Sequence, residues 1–228
     1  MLLKNKTVIV TGASSGIGAA AARLFALEGA NVVLGARRGE LLDEQVSLIA
    51  EHGGNATALA GDVREDDYAA ALVRQAKSEF GGLDCAFNNA GIVGEMSPVP
   101  AMNSENWDKV ITTNLTSAFF AAKHQIPALE ERGGGSIVFT SSFVGVTNGG
   151  MPGMAAYAAS KAGLVGLVQS LSGDHAGECI RINALLPGGT ITAMTDGDAK
   201  AHAGIASLHA LKRMAEPEEI ARAALFLL

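Results

Sequence analysis

Short β-branched runs alternate with longer helix-forming stretches along most of this chain, and few architectures accept that rhythm. Residues 7–11, 31–34, 57–60, 83–87, 136–140 and 181–185 read as strands. Residues 17–28, 40–52, 65–80, 104–132 and 155–175 read as the helices that separate them. A helix between two strands carries the chain back to its starting end, so neighbouring strands pair in parallel. The strand segments are apolar without alternation, as in a sheet covered on both faces. The expected fold class is therefore α/β, a doubly wound parallel sheet with Rossmann-like three-layer αβα architecture. Glycines stand where helices should stop, at Gly29, Gly53-Gly54, Gly81-Gly82 and Gly133-Gly134-Gly135. No linker, low-complexity tract or internal repeat interrupts the rhythm, so residues 1–228 read as one domain. Residues 190–214 carry mixed helical signals and no strand, which suits a lid or a plain surface connection. A last helix starts near Glu218 after Pro217 and is still running at Leu228 without a stop signal.

Composition removes several classes of function. A net charge of −6, with no basic cluster beyond Arg37-Arg38, argues against a nucleic-acid partner. Cys85 and Cys179 are isolated, so neither a disulfide framework nor a thiolate metal site is expected, and a cytoplasmic location fits. His52, His124, His175, His202 and His209 show no metal-ligand spacing with each other or with carboxylates, and no metal is expected. Apolar runs fall short of the roughly 18 residues that span a bilayer, and no signal-peptide pattern opens the chain. A soluble protein without a membrane partner is expected. Trp107 should anchor the start of the long helix in the core. Met151, Met154, Met194 and Met214 flank the expected substrate mouth, where an adaptable apolar lining and ordinary packing both remain open.

Directly after the first strand comes Thr11-Gly12-Ala13-Ser14-Ser15-Gly16-Ile17-Gly18, which opens into an Ala-rich helix. A Gly-rich turn at a strand-to-helix junction lets a pyrophosphate approach the backbone and meet the free N–H groups of the first helical turn. A dinucleotide is the expected ligand. The second strand leads into Ala36-Arg37-Arg38, where an NAD site would carry an acid for the ribose 2′-hydroxyl. Guanidinium groups would instead hold a 2′-phosphate, pointing to NADP(H), with NAD(H) or two plain loop charges as the alternatives. Asp62-Val63 closes the third strand, where a carboxylate can accept from the adenine amino group. Asn88-Asn89-Ala90-Gly91 closes the fourth and offers amides and a small turn beside the ribose.

Tyr157 and Lys161 stand four residues apart on a predicted helix and so share a face. Ser141-Ser142 ends the fifth strand, and Asn114 lies within the long helix. Lowering a phenol from a pKa near 10 to about 7 needs roughly 4 kcal/mol of differential stabilisation, which an ammonium and a bound nicotinamide would supply. Tyr157 then serves as general acid in carbonyl reduction and general base in alcohol oxidation, with Ser142 holding the reacting oxygen. The rival reading is a dinucleotide-binding sensor without turnover, which would have no use for a phenol beside an ammonium.

Taken together, Thr11 through Gly18, Asp62, Asn88 through Gly91, Asn114, Ser142, Tyr157, Lys161 and Pro187-Gly188 resemble the short-chain dehydrogenase/reductase family over essentially the whole length. The resemblance implies a tetrad of Asn114, Ser142, Tyr157 and Lys161, with Asn114 supporting a water that links Lys161 to a proton relay. It implies that Lys161 bonds the nicotinamide ribose, and that Pro187, Gly188, Thr190 and Thr192 contact the nicotinamide end. It also implies a small-molecule carbonyl or alcohol substrate and a homo-oligomer, a dimer or a tetramer pairing the long helices. The nearest resemblance is to bacterial oxidoreductases and 3-oxoacyl carrier reductases. Two departures stand out. The stretch between Ser142 and Tyr157, with Gly149-Gly150, is long, which leaves Ser141 and Ser142 both open as the residue facing substrate. The family's final strand is expected to be missing after Leu228.

Overall fold

A computed structural model of the chain describes residues 1–147, 151–195 and 199–228. Strands β1 (Thr7–Thr11), β2 (Asn31–Ala36), β3 (Asn55–Ala60), β4 (Cys85–Asn88), β5 (Gly135–Thr140) and β6 (Ile180–Leu185) form a parallel sheet in the order β3-β2-β1-β4-β5-β6. The helices are α1 (Gly16–Leu27), α2 (Gly39–Glu51), α3 (Asp66–Phe80), α4 (Ser104–Ile111), α5 (Ser117–Glu130), α6 (Ala155–Asp174), α7 (Ala199–Ser207) and α8 (Pro217–Leu227). The chain winds outward from β1 in one direction and returns to wind in the other from β4. The crevice between those halves lies at the carboxyl ends of β1 and β4, where Thr11 pairs with Asn88.

The alternation of β1 divides the core into two layers. Val8 and Val10 pack with Phe25 of α1, Leu42 and Ile49 of α2, and Ala221 and Ala224 of α8. Ile9 points to the other face, with Leu72 of α3, Ala118 and Ala122 of α5, and Leu164 of α6. Small side chains let α1 sit close to the sheet: Gly18, Ala19, Ala20, Ala21 and Ala22 are all buried. The doubly wound three-layer sheet expected from the sequence is the one observed. Strand β3 departs from the expected burial, because it is an edge strand with no further strand beside it among the described residues, and its residues are partly exposed.

The long helix is not uniform. A π-helical turn, Thr112–Thr116, separates α4 from α5 and contains Asn114. Such widened turns displace one residue from the regular ladder and re-aim its side chain. Trp107 is also corrected: it is 39% exposed. Helix α4 packs against α6 and the π turn rather than on the sheet, so Val110 is its one buried residue. The stretch expected to lack strands has its ends joined by a parallel bridge between Thr190 and Ala215, with α7 between them. Residues 196–198 and the Gly149-Gly150 region lie outside the described residues.

At the opposite end of the sheet the Asp84 side chain, 6% exposed, ties three segments. It accepts from the Thr7 N–H at 2.9 Å and from Lys6 and Arg132 at 3.3 Å. Replacing Asp84 with leucine orphans a buried N–H where β1 begins. The expected cost is about 2 kcal/mol, or a fall in Tm of roughly 4–8 °C by calorimetry. An unchanged Tm would show that Thr7 does not depend on this carboxylate.

Candidate active site

The Gly-rich turn after β1 has the shape its glycines permit. Gly12 and Gly16 have φ of +70° and +54°, in the left-handed region that favours glycine. A Cβ on Gly18 would stand 2.3 Å from the Gly12 carbonyl oxygen, so only hydrogen fits there. The first turn of α1 holds no acidic residue, and the Ser15 hydroxyl does not cap it. Its positive end is therefore left for an anion. Arg38, on the surface, donates to Ser14 Oγ and Ser15 Oγ at 2.9 Å each, which places its guanidinium against this turn. Arg37 is exposed beside it. Ile17 packs against the α1 side of the core. These features fit a dinucleotide pyrophosphate.

Thr11 joins the ends of β1 and β4. Its hydroxyl accepts from the N–H groups of Asn89 and Ala90 at 3.1 and 3.2 Å. Asn89 also donates to the Thr11 carbonyl, and its Oδ1 accepts from Thr140. Asn88 turns away and forms a reciprocal amide pair with Gln125 of α5, at 2.8 and 3.0 Å. Val63 and Ala90 line an internal cavity with Thr11, Asn114 and Thr140. Asp62 follows β3 with much of its capacity in use, because Arg64 binds its carboxylate through the side chain at 2.6 Å and the backbone N–H at 3.0 Å. That bond keeps the Asp62 carboxyl below its ordinary range.

The Tyr157 and Lys161 pair sits on α6 with Lys161 Nζ 5.6 Å from the ring centroid. Lys161 is 3% exposed and donates to the Thr140 carbonyl at 2.6 Å. The Ser142 hydroxyl accepts from the Val144 N–H at 3.3 Å and lies close enough to the Tyr157 phenol to favour its ionised form. Ser141 is committed elsewhere, donating to the Lys161 carbonyl at 2.7 Å. Of the two serines, Ser142 is the one whose hydroxyl meets the phenol. Asn114 accepts from the Ile92 N–H and donates to the Ile92 carbonyl and to Ser160 Oγ, all within 2.8–2.9 Å. Ser160 in turn donates to the Tyr157 carbonyl at 2.7 Å. Gly91 lies against both groups: a Cβ there would stand 3.2 Å from Asn114 Oδ1 and 3.3 Å from Lys161 Nζ.

Burial dominates the electrostatics. It pushes the phenol of Tyr157 up, and the Ser142 hydrogen bond only partly offsets this. The expectation that Lys161 lowers the phenol is not met by this chain alone, since the amine is directed at Thr140. Burial pulls Lys161 down to about 8. Among the residues near the site, sequence reasoning missed Ser160, Ile92 and the Thr140 carbonyl, whose contacts arise from the π turn and the sheet. On the far side, Pro187 accepts from the Phe143 N–H at 3.1 Å. The Gly188 carbonyl accepts from Thr190, and the Thr192 methyl lies 3.1 Å from where a Gly16 Cβ would be. The segment that follows Thr190 therefore reaches the Gly-rich turn. Met154 and Met214 are buried, whereas Met194 is 50% exposed. Among the described residues no cluster of histidine, cysteine, aspartate and glutamate could hold a metal, although His124 pairs with Asp66 at 2.9 Å.

A family model described as short chain dehydrogenase matches residues 6–203. The chain belongs to the short chain dehydrogenase family. Dehydrogenases of this family work with NAD(P)(H), and this member is an oxidoreductase by descent. The chain is 37% identical over 224 residues to a cyclohexanol dehydrogenase of Acinetobacter sp. (strain SE19), covering 98% of this chain and 88% of that enzyme. It is 38% identical over 228 residues to the 3-oxoacyl-[acyl-carrier-protein] reductase FabG of Thermotoga maritima, covering 100% of this chain and 92% of that one. The crystal structure of levodione reductase superposes with a TM-score of 0.93 at 30% identity, covering 99% of this short chain dehydrogenase and 91% of its counterpart.

The low pKa of Lys161 gives a signed pH effect. Unfolded lysine keeps its proton to about 10.5, whereas the folded chain releases it near 8. Between those values the unfolded state binds more protons, so the folded state gains stability as pH rises. The Tm of the wild type relative to Lys161→Met should climb across this interval and stay flat at lower pH. A pH-independent difference would place the titration of Lys161 elsewhere.

Proposed function

We propose that this short chain dehydrogenase transfers hydride between NADP(H) and a carbonyl or secondary alcohol, with Tyr157 as general acid and base. The observation that carries the reading is the meeting of Ser142, Tyr157 and Lys161 beside the crevice, with Asn114 and Ser160 fastened behind them. A bound nicotinamide supplies or takes the hydride at the substrate carbon. Tyr157 gives its phenolic proton to the carbonyl oxygen as the carbon is reduced, and the phenolate takes a proton from the alcohol in reverse. Ser142 holds that oxygen. Steadying the phenolate takes both a bound nicotinamide and Lys161, which is charged below a pH of about 8. Burial keeps the unliganded phenol protonated, which suits the acid role. Pro187, Gly188, Thr190 and Thr192 would face the nicotinamide end, and Asp62, Val63, Asn89, Ala90 and Gly91 the adenosine and ribose.

The relatives' names frame the substrate as a small alicyclic alcohol or ketone, or an oxoacyl thioester. We read residues 1–228 as one domain acting in the cytoplasm as a homo-oligomer. The pairing of long helices is supported by Trp107 and Phe119, 39% and 52% exposed on α4 and α5. Among the described residues no helix is long and apolar enough to cross a membrane.

Tyr157→Phe should lower turnover by at least about a hundredfold, with NADP(H) affinity within a few-fold, because the phenol acts in the transition state. Cyclohexanol, cyclohexanone and an oxoacyl thioester are the substrates to assay. Near-normal turnover in the folded variant would overturn the mechanism.

Cofactor preference follows from the end of β2, where Ala36 leaves no acid for a ribose hydroxyl and Arg37 and Arg38 lie on the surface. A charged hydrogen bond to a 2′-phosphate corresponds to a preference of about ten- to a hundredfold for NADPH, weakening with salt. Ala36→Asp combined with Arg37→Ala should reverse it in fluorescence titrations. Equal affinity of the wild type for NADH at low salt would refute the assignment.

A further inference from the structure

We propose that His209 is a positioning residue, a latch that holds the lid over the cofactor crevice by accepting the Gly189 N–H. His209 follows α7 by two residues. Its Nε2 lies 2.8 Å from the Gly189 nitrogen. A backbone N–H can only donate, so Nε2 carries no proton and the neutral ring keeps its hydrogen on Nδ1. The ring also stands edge-on to Phe143, with centroids 5.2 Å apart and planes at 70°. Phe143 is the neighbour of Ser142, and its N–H donates to the Pro187 carbonyl. One imidazole thus touches the loop after β5, the turn after β6 and the lid itself.

The two glycines of the turn point to the same ring. Neither Gly188 nor Gly189 has a positive φ, so backbone conformation does not call for glycine at either position. Contact does. A Cβ on Gly188 would stand 2.8 Å from His209 Cε1, and one on Gly189 would stand 3.0 Å from Nε2 and 2.3 Å from Ile205 Cγ2. The side chains of the lid fill the space that a side chain of the turn would need.

What hangs from this turn gives the latch its purpose. The Gly189 carbonyl accepts from the Ala215 N–H, and Ile191 donates to the Ala215 carbonyl, which closes the base of the lid. Thr195 Oγ1 donates to the Thr190 carbonyl at 2.6 Å, and the His202 ring bonds the Thr195 carbonyl at 2.9 Å. Between those points Thr192 lies over Gly16. With Nε2 engaged, Thr192 is held above the Gly-rich turn. With Gly189 released, the clamp on a bound dinucleotide loosens while Ser142, Tyr157 and Lys161 stay in place. The latch therefore acts on cofactor retention and rests on the reading of this crevice as a nicotinamide site.

The test compares the wild type with His209→Leu, which keeps an apolar contact to Phe143 but removes the acceptor, and with His209→Gln, whose Oε1 can replace Nε2. Amide hydrogen exchange at Gly189 is read first, without cofactor. It should speed up by about tenfold in the leucine variant and return toward wild type in the glutamine variant. NADPH Kd by nicotinamide fluorescence should weaken by about fivefold to tenfold in the leucine variant and recover with glutamine, while kcat at saturating NADPH changes by less than about threefold. Unchanged exchange and Kd in His209→Leu would overturn the latch. So would a glutamine variant that fails to rescue the loss, since the ring would then act by packing alone. A wild type that binds no NADPH would defeat the proposed function, and the exchange comparison would then decide the latch on its own.

Discussion

A buried ammonium sets the terms for everything near the crevice. Lys161 has almost no contact with water, and a charged amine in that position is unstable unless oxygen lone pairs replace its hydration. The Thr140 carbonyl at the end of β5 supplies one at 2.6 Å. Strand β5 can present that carbonyl only because it is held on both sides by β4 and β6. Helix α6 can present the amine only because Ser141 clasps the Lys161 carbonyl and Asn114 clasps Ser160. Gly91 must remain without a side chain for the amine and the Asn114 amide to come so near. Strand, helix and loop are thus registered to one cation, and a half-turn slip of α6 would leave that cation unsolvated.

The opposite wall of the crevice is built on subtraction. Gly12, Gly16 and Gly18 remove the atoms that would otherwise occupy the approach to α1, and the Thr11 hydroxyl then fixes the neighbouring Asn89-Ala90 turn at hydrogen-bond distance. The arginines at the rim have different partners. Arg64 engages Asp62, while Arg38 leans on the serine hydroxyls of the turn. Asp62 is thereby neutralised largely by Arg64, with Arg37 of the β2 loop adding a weaker attraction.

The sheet, its parallel sense and its helical covering were legible in the sequence, because apolar periodicity and glycine stops report backbone geometry directly. The grouping of Ser142, Tyr157 and Lys161 was legible through helical spacing and a strand-end rule. Other features depend on tertiary contacts that periodicity does not encode. The π turn at Thr112–Thr116 occupies a stretch whose pattern continues an ordinary helix, and it becomes visible only once Asn114 is seen bonded to Ile92 and Ser160. Trp107 reads as a core residue by type, yet α4 lies at the margin of the helical layer and leaves it 39% exposed. Ser141 and Ser142 are adjacent and identical, and only the fold assigns one to the α6 backbone and the other to the phenol. His209 has no sequence partner at a telling distance. Its contacts, Phe143 and Gly189, are brought to it by the return of the lid.

The bridge between Thr190 and Ala215 has a consequence for how such a chain varies over time. It pins the two ends of the lid together and so makes the intervening stretch a closed loop whose ends are indifferent to its length. The entropy of closing a flexible loop rises only with the logarithm of its size, by about 0.6 kcal/mol for each doubling. Insertions and deletions in this loop are therefore cheap for the fold, while the strands beneath it tolerate none. Such a division allows the stretch between Thr190 and Ala215 to change in length with the sheet and the buried lysine inherited unaltered.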